Sequence, residues 1–303
     1  MKGNKVFGIV WIFLAVILSG ILISSMFGGK KFMFKWISGK SSSKEIGNRP
    51  ENAEMHYSLN DISTIDVDVD ILSICVERKD VEDIRVFFDM DEKYWPSVNV
   101  VSTGKVLKIT RDEKINFLFN IFDSDMKIYI DVPMSFEPDD LDFKSESGSI
   151  KITGIKCKTL DCKSTSGSVH LYGCEVKDAD LKSTSGSVKA EDSSIEKLDG
   201  NSMSGSVNIE GKFGKLDLKS TSGSVKVDSK SPLTDDSKLE SVSGSVRLNV
   251  PDESGLKIKY STVSGGYKNL KSGTSGKSSG TDLIGDGKVS LSLKTVSGSI
   301  KIE

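Results

Sequence analysis

The chain has 303 residues, a net charge of −2 and only 7 % aromatic residues. The near-neutral balance argues against a chain-wide polyanion binder, and two histidines far apart in sequence, His56 and His170, argue against a histidine-based triad or a His-rich zinc site. Few aromatics and a Gly/Ser-crowded C-terminal half suit a thin core of stacked small units rather than a thick globule.

Residues 1–29 read as an N-terminal membrane anchor. Val6 to Phe27 is apolar and carries no charge over 22 residues, enough for one helical span, which takes roughly 20. A cleaved signal peptide is the alternative, but its apolar stretch usually runs about 7–15 residues. Phe32, Phe34 and Trp36 follow as an interfacial aromatic belt would. Lys2 and Lys5 flank one side, and Lys30, Lys31, Lys35 and Lys40 the other, which slightly favours a cytoplasmic C-terminal domain. Residues 30–58 are polar and read as a juxtamembrane linker.

Residues 59–140 predict irregular β-strands. In Ile65-Asp-Val-Asp-Val-Asp-Ile71, apolar residues alternate with Asp66, Asp68 and Asp70, the pattern of a half-buried strand. The three aspartates lack an EF-hand glycine or a downstream glutamate, so a solvated strand face is expected rather than a cation site. Further strands are expected at Ile84–Phe88, Val98–Val101, Val106–Ile109 and Lys127–Val132, the last ended by Pro133. The run Ile115–Phe122 is read as a buried strand, or else an exposed apolar patch that touches lipid or a partner.

Residues 141–303 repeat one phrase eight times, centred on Gly148, Gly167, Gly186, Gly205, Gly223, Gly244, Gly265 and Gly298. Spacings of 19, 19, 19, 18, 21, 21 and 33 residues mark a solenoid with one rung per repeat. Apolar residues recur two and four places after the glycine, and five and seven places before it, in most copies. That alternation slips at Tyr172-Gly173 and at Lys177-Asp178, which with the Ser-Gly turn gives three corners per rung. The fold class is therefore all-β: a roughly triangular, β-helix-like parallel solenoid of about eight Ser-Gly-Ser rungs.

Three places before glycine stands Ser or Thr in all eight copies, and one place before stands Ser in all eight. Glycine is expected to use positive φ at the corner, and the hydroxyls to bond the local backbone. No repeat carries a base beside its serine, so the serines build turns rather than attack substrates. Asp142, Asp161, Asp180, Asp199 and Asp217 form one column and Lys144, Lys163, Lys182 and Lys219 the next; the two are expected to neutralise each other. Three places after glycine, Lys151, Lys189, Lys226, Arg247, Lys268 and Lys301 form a basic column, with His170 and Asn208 in the remaining copies. Stacked like charges repel by about 0.9 kcal/mol even in bulk water, so this column either splays into solvent or meets an anion, such as an envelope polymer or lipid headgroups. Nucleic acid is not expected, because no aromatics interleave with it.

Cys75, Cys157, Cys162 and Cys174 form no C-x-x-C pair. The last three occupy inward positions and are expected as buried thiols, with a Cys157–Cys174 disulfide open if the domain is exported. Residues 270–287 read as a flexible Gly/Ser insertion; Gly276-Lys277-Ser278 lacks the earlier glycine of a phosphate loop, since position 271 is Lys271. The chain stops soon after the last strand, so the terminal rung exposes an edge unless the insertion covers it. No cofactor, metal or catalytic residue is expected.

The sequence Ile128-Tyr-Ile-Asp-Val-Pro133, the repeated Ser-x-Ser-Gly-Ser-Val and the closing Ile284–Ile302 segment resemble the bacterial "putative adhesin" family. This is a domain of unknown function built of β-strand repeats, with relatives in Lia-type envelope-stress systems. The resemblance implies a β-solenoid, an envelope address and no established enzymatic activity. The expected protein is a single-pass membrane protein with an extracytoplasmic repeat domain that binds or scaffolds at the envelope. A structural protein stacking through its open end on a copy or an envelope partner, or a cytoplasm-facing scaffold, is the alternative.

Overall fold

The computed structural model describes residues 54–90, 97–111 and 126–303. The expected anchor, most of the linker and the Ile115–Phe122 run lie outside the described residues. In chain order the strands are β1 (Glu54–Tyr57), β2 (Thr64–Val69), β3 (Ser73–Lys79), β4 (Ile84–Asp89), β5 (Val98–Thr103), β6 (Val106–Arg111), β7 (Lys127–Pro133) and β8 (Asp140–Ser145). Next come β9 (Ile150–Thr153), β10 (Lys156–Ser164), β11 (Val169–Tyr172), β12 (Glu175–Ser183), β13 (Val188–Ser202), β14 (Val207–Ser220), β15 (Val225–Ser229) and β16 (Ser237–Ser241). The last are β17 (Val246–Asn249), β18 (Leu256–Thr262), β19 (Tyr267–Asn269), β20 (Ser275–Gly276), β21 (Ser279–Ile284), β22 (Val289–Thr295) and β23 (Ile300–Ile302).

These strands stack into columns, mostly parallel, with equivalent repeat residues directly above one another. Leu160 pairs with Leu141 on one side and Ala179 on the other; Val169 pairs with Ile150 and Val188. Such neighbours sit about 4.8 Å apart. Burial alternates along each run and slips at Tyr172-Gly173 and Lys177-Asp178, so each rung turns three inward-facing runs toward one core. That core is continuous from Ile62 to Ile302.

The parallel stack begins earlier than the repeat phrase does. β2 pairs in register with β8, Ile65 against Leu141 and Val67 against Phe143. β3, a strand not anticipated, pairs with β9 through Ile74–Ile150 and Val76–Ile152. β6 and β7 stack beyond them. The segment read as irregular strands thus supplies two further rungs. β1 falls within the stretch read as linker: its Met55 and Tyr57 pack against the core while it pairs antiparallel with β4.

The C-terminal end corrects the expected chain order. The rung formed by the last repeat, β22 and β23, is not terminal. It lies between β16–β17 on one side and β18–β19 on the other. The chain lays the Gly265 rung one place too far out, and residues 270–287 build β20 and β21, which pair antiparallel with β19 and β18. It then returns to fill the vacant rung. The N-terminal end is closed in like manner: β4 and β5 cap antiparallel the β7 and β6 strands that stack outside β3 and β2.

Candidate functional site

The Ser-Gly turns form a seam of hydrogen bonds running between rungs. The Ser164 hydroxyl donates to the Gly148 carbonyl at 2.9 Å and accepts the Gly167 N–H at 2.9 Å. Ser183, Ser202 and Ser241 repeat the donation to the glycine carbonyl one rung below at 2.8 Å each. The seam follows space rather than sequence: Thr295 donates to Gly244, and Thr262 donates to Gly298. These hydroxyls are buried, Ser202 and Ser220 fully. A second series links the serines after glycine, with Ser168 N–H donating to Ser149 Oγ at 3.2 Å and Ser187 N–H to Ser168 Oγ at 3.1 Å.

The turn glycines are needed for a reason other than the expected one. None of the eight has positive φ. A Cβ at Gly167 would instead meet the Gly148 carbonyl oxygen at 2.2 Å, and one at Gly186 the Gly167 oxygen at 2.3 Å. Backbone approaches backbone too closely for any side chain. Positive φ is used at the next corner, by Gly154 (71°), Gly173 (64°) and, without glycine, Asp192 (51°).

The six basic residues expected to act together do line up. In spatial order the column is Lys151, His170, Lys189, Asn208, Lys226, Arg247, Lys301, Lys268. Among the described residues Lys151, Lys189, Lys226, Arg247 and Lys268 form no ion pair, whereas Lys301 is paired with Glu303 and His170 Nε2 lies 3.0 Å from Glu191. Two places further along the strands, Glu191, Glu210, Asp228 and Glu303 supply an acidic flank that sequence reading missed. It was visible five places after glycine once the register was drawn. The Glu303 carboxyl is held below its ordinary value by its bond to Lys301, with Arg247 and Lys226 contributing.

The Asp and Lys columns neutralise each other in three rungs, Lys144–Asp142 at 2.7 Å and Lys163–Asp161 at 2.6 Å, with Lys182 bonded to Asp180; among the described residues Asp217 and Lys219 form no such pair. Asp66 extends the Asp column by pairing with Asp142 and takes Lys108 as its ion-pair partner at 2.8 Å. Asp70 likewise pairs with Arg111 at 2.8 Å. Asp199, whose rung carries Asn201 in place of lysine, has its carboxyl pushed up by burial and by Asp180 one rung below.

Cys75, Cys157, Cys162 and Cys174 are free thiols, the last three buried. Burial raises all four, Cys157 to about 12, which suppresses the reactive thiolate. Gly276, which with Lys277 and Ser278 gave the insertion its phosphate-loop look, and Gly280 flank Tyr260; a Cβ at either would meet its hydroxyl at 2.4 or 2.5 Å. Among the described residues no helix is long and apolar enough to cross a membrane, and no cluster of His, Cys, Asp or Glu could hold a metal ion.

The stacked Ser-Gly rungs, with antiparallel caps at both ends, define a class of all-β repeat domains. The chain belongs to one family of it: residues 62–303 match the Toastrack DUF4097 model, so the resemblance seen in the sequence holds. No curated protein is similar enough to count as a relative. Among solved structures, a "putative lipid binding protein" from Parabacteroides distasonis is 16 % identical over 82 % of this chain and 96 % of that one, with a TM-score of 0.45. A "putative adhesin" from Bacteroides fragilis is 15 % identical over 82 % and 96 %, TM-score 0.39. A "putative cell adhesion protein" from Clostridium sporogenes is 14 % identical over the same shares, TM-score 0.29.

Proposed function

We propose that this protein is a non-enzymatic binding or scaffolding module of the bacterial envelope, tethered by residues 6–27 and displaying its solenoid outside the cytoplasmic membrane. The observation that carries this reading is the basic column: five cations in register without a carboxylate partner among the described residues. Lys226, Arg247, Lys301 and Lys268 occupy four successive rungs, and like charges stacked at about 4.8 Å are costly unless solvated or matched by an anion. Its periodic spacing suits an extended anionic polymer better than a compact ligand, and the serines beside it supply hydrogen-bond donors.

Reversing three of these cations in Lys189→Glu/Lys226→Glu/Arg247→Glu is expected to abolish salt-sensitive cosedimentation with anionic envelope polymer. Binding that survives the triple change would end this reading. Topology is tested separately. A cysteine in place of Ser278, with the four native cysteines replaced by alanine, should react with a membrane-impermeant maleimide in intact cells. Labelling only after lysis would turn the search toward cytosolic partners.

A further inference from the structure

The out-of-order entry of β22 changes the outer surface at the C-terminal end of the solenoid. Between residues 66 and 217 one surface column is continuously acidic: Asp66, Asp142, Asp161, Asp180, Asp199, Asp217. One rung further the column changes sign, continuing as Lys238, Ser292 and Lys259. In the neighbouring column Ser290 pairs with Lys257. β22 therefore sets two short serines between rungs bearing long lysines, and the height difference makes a trough of about 530 Å³ lined by Lys215, Lys238, Lys257, Lys259, Ser290 and Ser292. That size falls within the usual range for small-ligand sites, about 300–1,000 Å³.

The charges in the trough do not cancel. Lys238 is held by Glu240 at 2.9 Å. Lys215, Lys257 and Lys259 form no ion pair among the described residues, in contrast to the matched Lys144–Asp142 and Lys163–Asp161 pairs on the same face. Two acids line it as well, Asp217 and Asp236, and Asp236 accepts the Ser290 N–H at 2.8 Å. Three unpaired lysines therefore face two carboxylates, which leaves the lining net positive. Lys257 and Lys259 stand about 7 Å apart along one strand, and Lys238 and Lys259 about 9.5 Å apart across two rungs. Point cations at these separations, with serine hydroxyls on the floor, match an anion that carries several charges over several ångströms.

We propose that this trough is a binding site for a multivalent phosphate, either an oligophosphate or closely spaced phosphate esters. Its lysines lie on different strands from the cations of the basic column that carries the proposed function, and the two are independently testable. The test measures tripolyphosphate binding by calorimetry to the full chain in discs of phosphatidylcholine, at low and at physiological salt. Lys257→Glu/Lys259→Glu should weaken binding roughly tenfold or more. Lys189→Glu/Lys226→Glu should leave it within about twofold, since those residues lie outside the trough. Ser292→Glu, which keeps every lysine but fills the floor with a carboxylate, should weaken binding as well. Circular dichroism melting curves identify any variant that fails to fold. Equal loss in the two lysine doubles, or no tripolyphosphate binding by the unaltered chain, would overturn the site. Repeating the titration in discs containing phosphatidylglycerol identifies the source: competition points to lipid headgroups, an unchanged affinity to a soluble phosphate.

Discussion

Ser202 shows how much of this fold rests on single hydroxyls. It donates to the Gly186 carbonyl and accepts the Gly205 N–H, at 2.8 and 2.9 Å, while fully buried. Ser202→Ala would strand both backbone groups in the core. We expect a loss of about 1–3 kcal/mol, read as a lower denaturant midpoint. Ser202→Thr should be tolerated, because Thr262 and Thr295 make the same two bonds in their own rungs. Gly186→Ala should be worse than Ser202→Ala, since the new methyl meets the Gly167 carbonyl oxygen at 2.3 Å and neither backbone can withdraw without parting the stack. If Gly186→Ala melted like the unaltered protein, the close-approach account of the turn glycines would be wrong. The hydroxyl and glycine positions were legible in the sequence because they recur in every copy. The need for glycine was misread as positive φ, because a clash between rungs is invisible in a single rung.

At the scale of elements, the caps depend on polar contacts that no periodicity announces. Asp282 in β21 accepts hydrogen bonds from Tyr267 Oη at 2.7 Å, Asn269 Nδ2 at 2.8 Å, Ser272 Oγ at 2.8 Å and Thr274 Oγ1 at 3.0 Å. It thereby ties β21 to β19 and to the loop leading into β20. Beside it Tyr260 and Tyr267 stack with centroids 3.7 Å apart and close the core. Burial alone would raise the Asp282 carboxyl, but the bonds from Tyr267, Asn269 and Ser272 outweigh it and hold the group below its ordinary 3.8. A folded value below the unfolded one means stability that is present above about pH 4 and lost as pH falls through the lower folded value. Asp282→Asn should therefore melt below the unaltered protein at pH 7. The gap should narrow progressively below pH 4, when melting temperatures are compared across pH. A pH-independent gap would mean that Asp282 acts by shape and not by charge. At the other cap Asp131 plays a similar part, nearly fully buried and paired with Arg85 at 2.8 Å and Lys79 at 3.0 Å.

For the molecule as a whole, the decisive feature is that chain order and spatial order part company at the C-terminal end. In a simple solenoid, removing the last repeat removes the last rung and little else. Here a chain ending at residue 287 would lack β22 and β23, the rung that joins β16–β17 to β18–β19. Such a truncation is expected to detach everything from residue 250 onward. Limited proteolysis should cut near residues 251–255, and mass spectrometry should recover a protected core ending there. Protection of residues 256–286 in the truncated chain would mean that the outer rung docks without its neighbour. The same connection requires β17 and β23 to meet across 54 residues of sequence, Val246 against Ile300. Loop closure of that length places the final rung late in folding.

What the sequence determined by itself was everything that repeats: the strand alternation, the rung period, the three corners, the hydroxyl seam and the two neutralising columns. Each is a local rule enforced once per copy, so eight copies amplify a signal that one would leave ambiguous. The strands over residues 64–79 and 106–133 obey the same packing rule, but their Ser-Gly phrase is missing, and β3 went unseen although Ile74 and Val76 alternate as the repeats do. The basic column was likewise legible, yet its acidic flank was overlooked. Only the tertiary structure decided which rung lies beside which. The copies are nearly interchangeable as neighbours, so their sequence does not encode the swap of the last two. That swap is fixed by connection length and by the cap that residues 270–287 build, and from it follows the lysine-walled trough over Ser290 and Ser292.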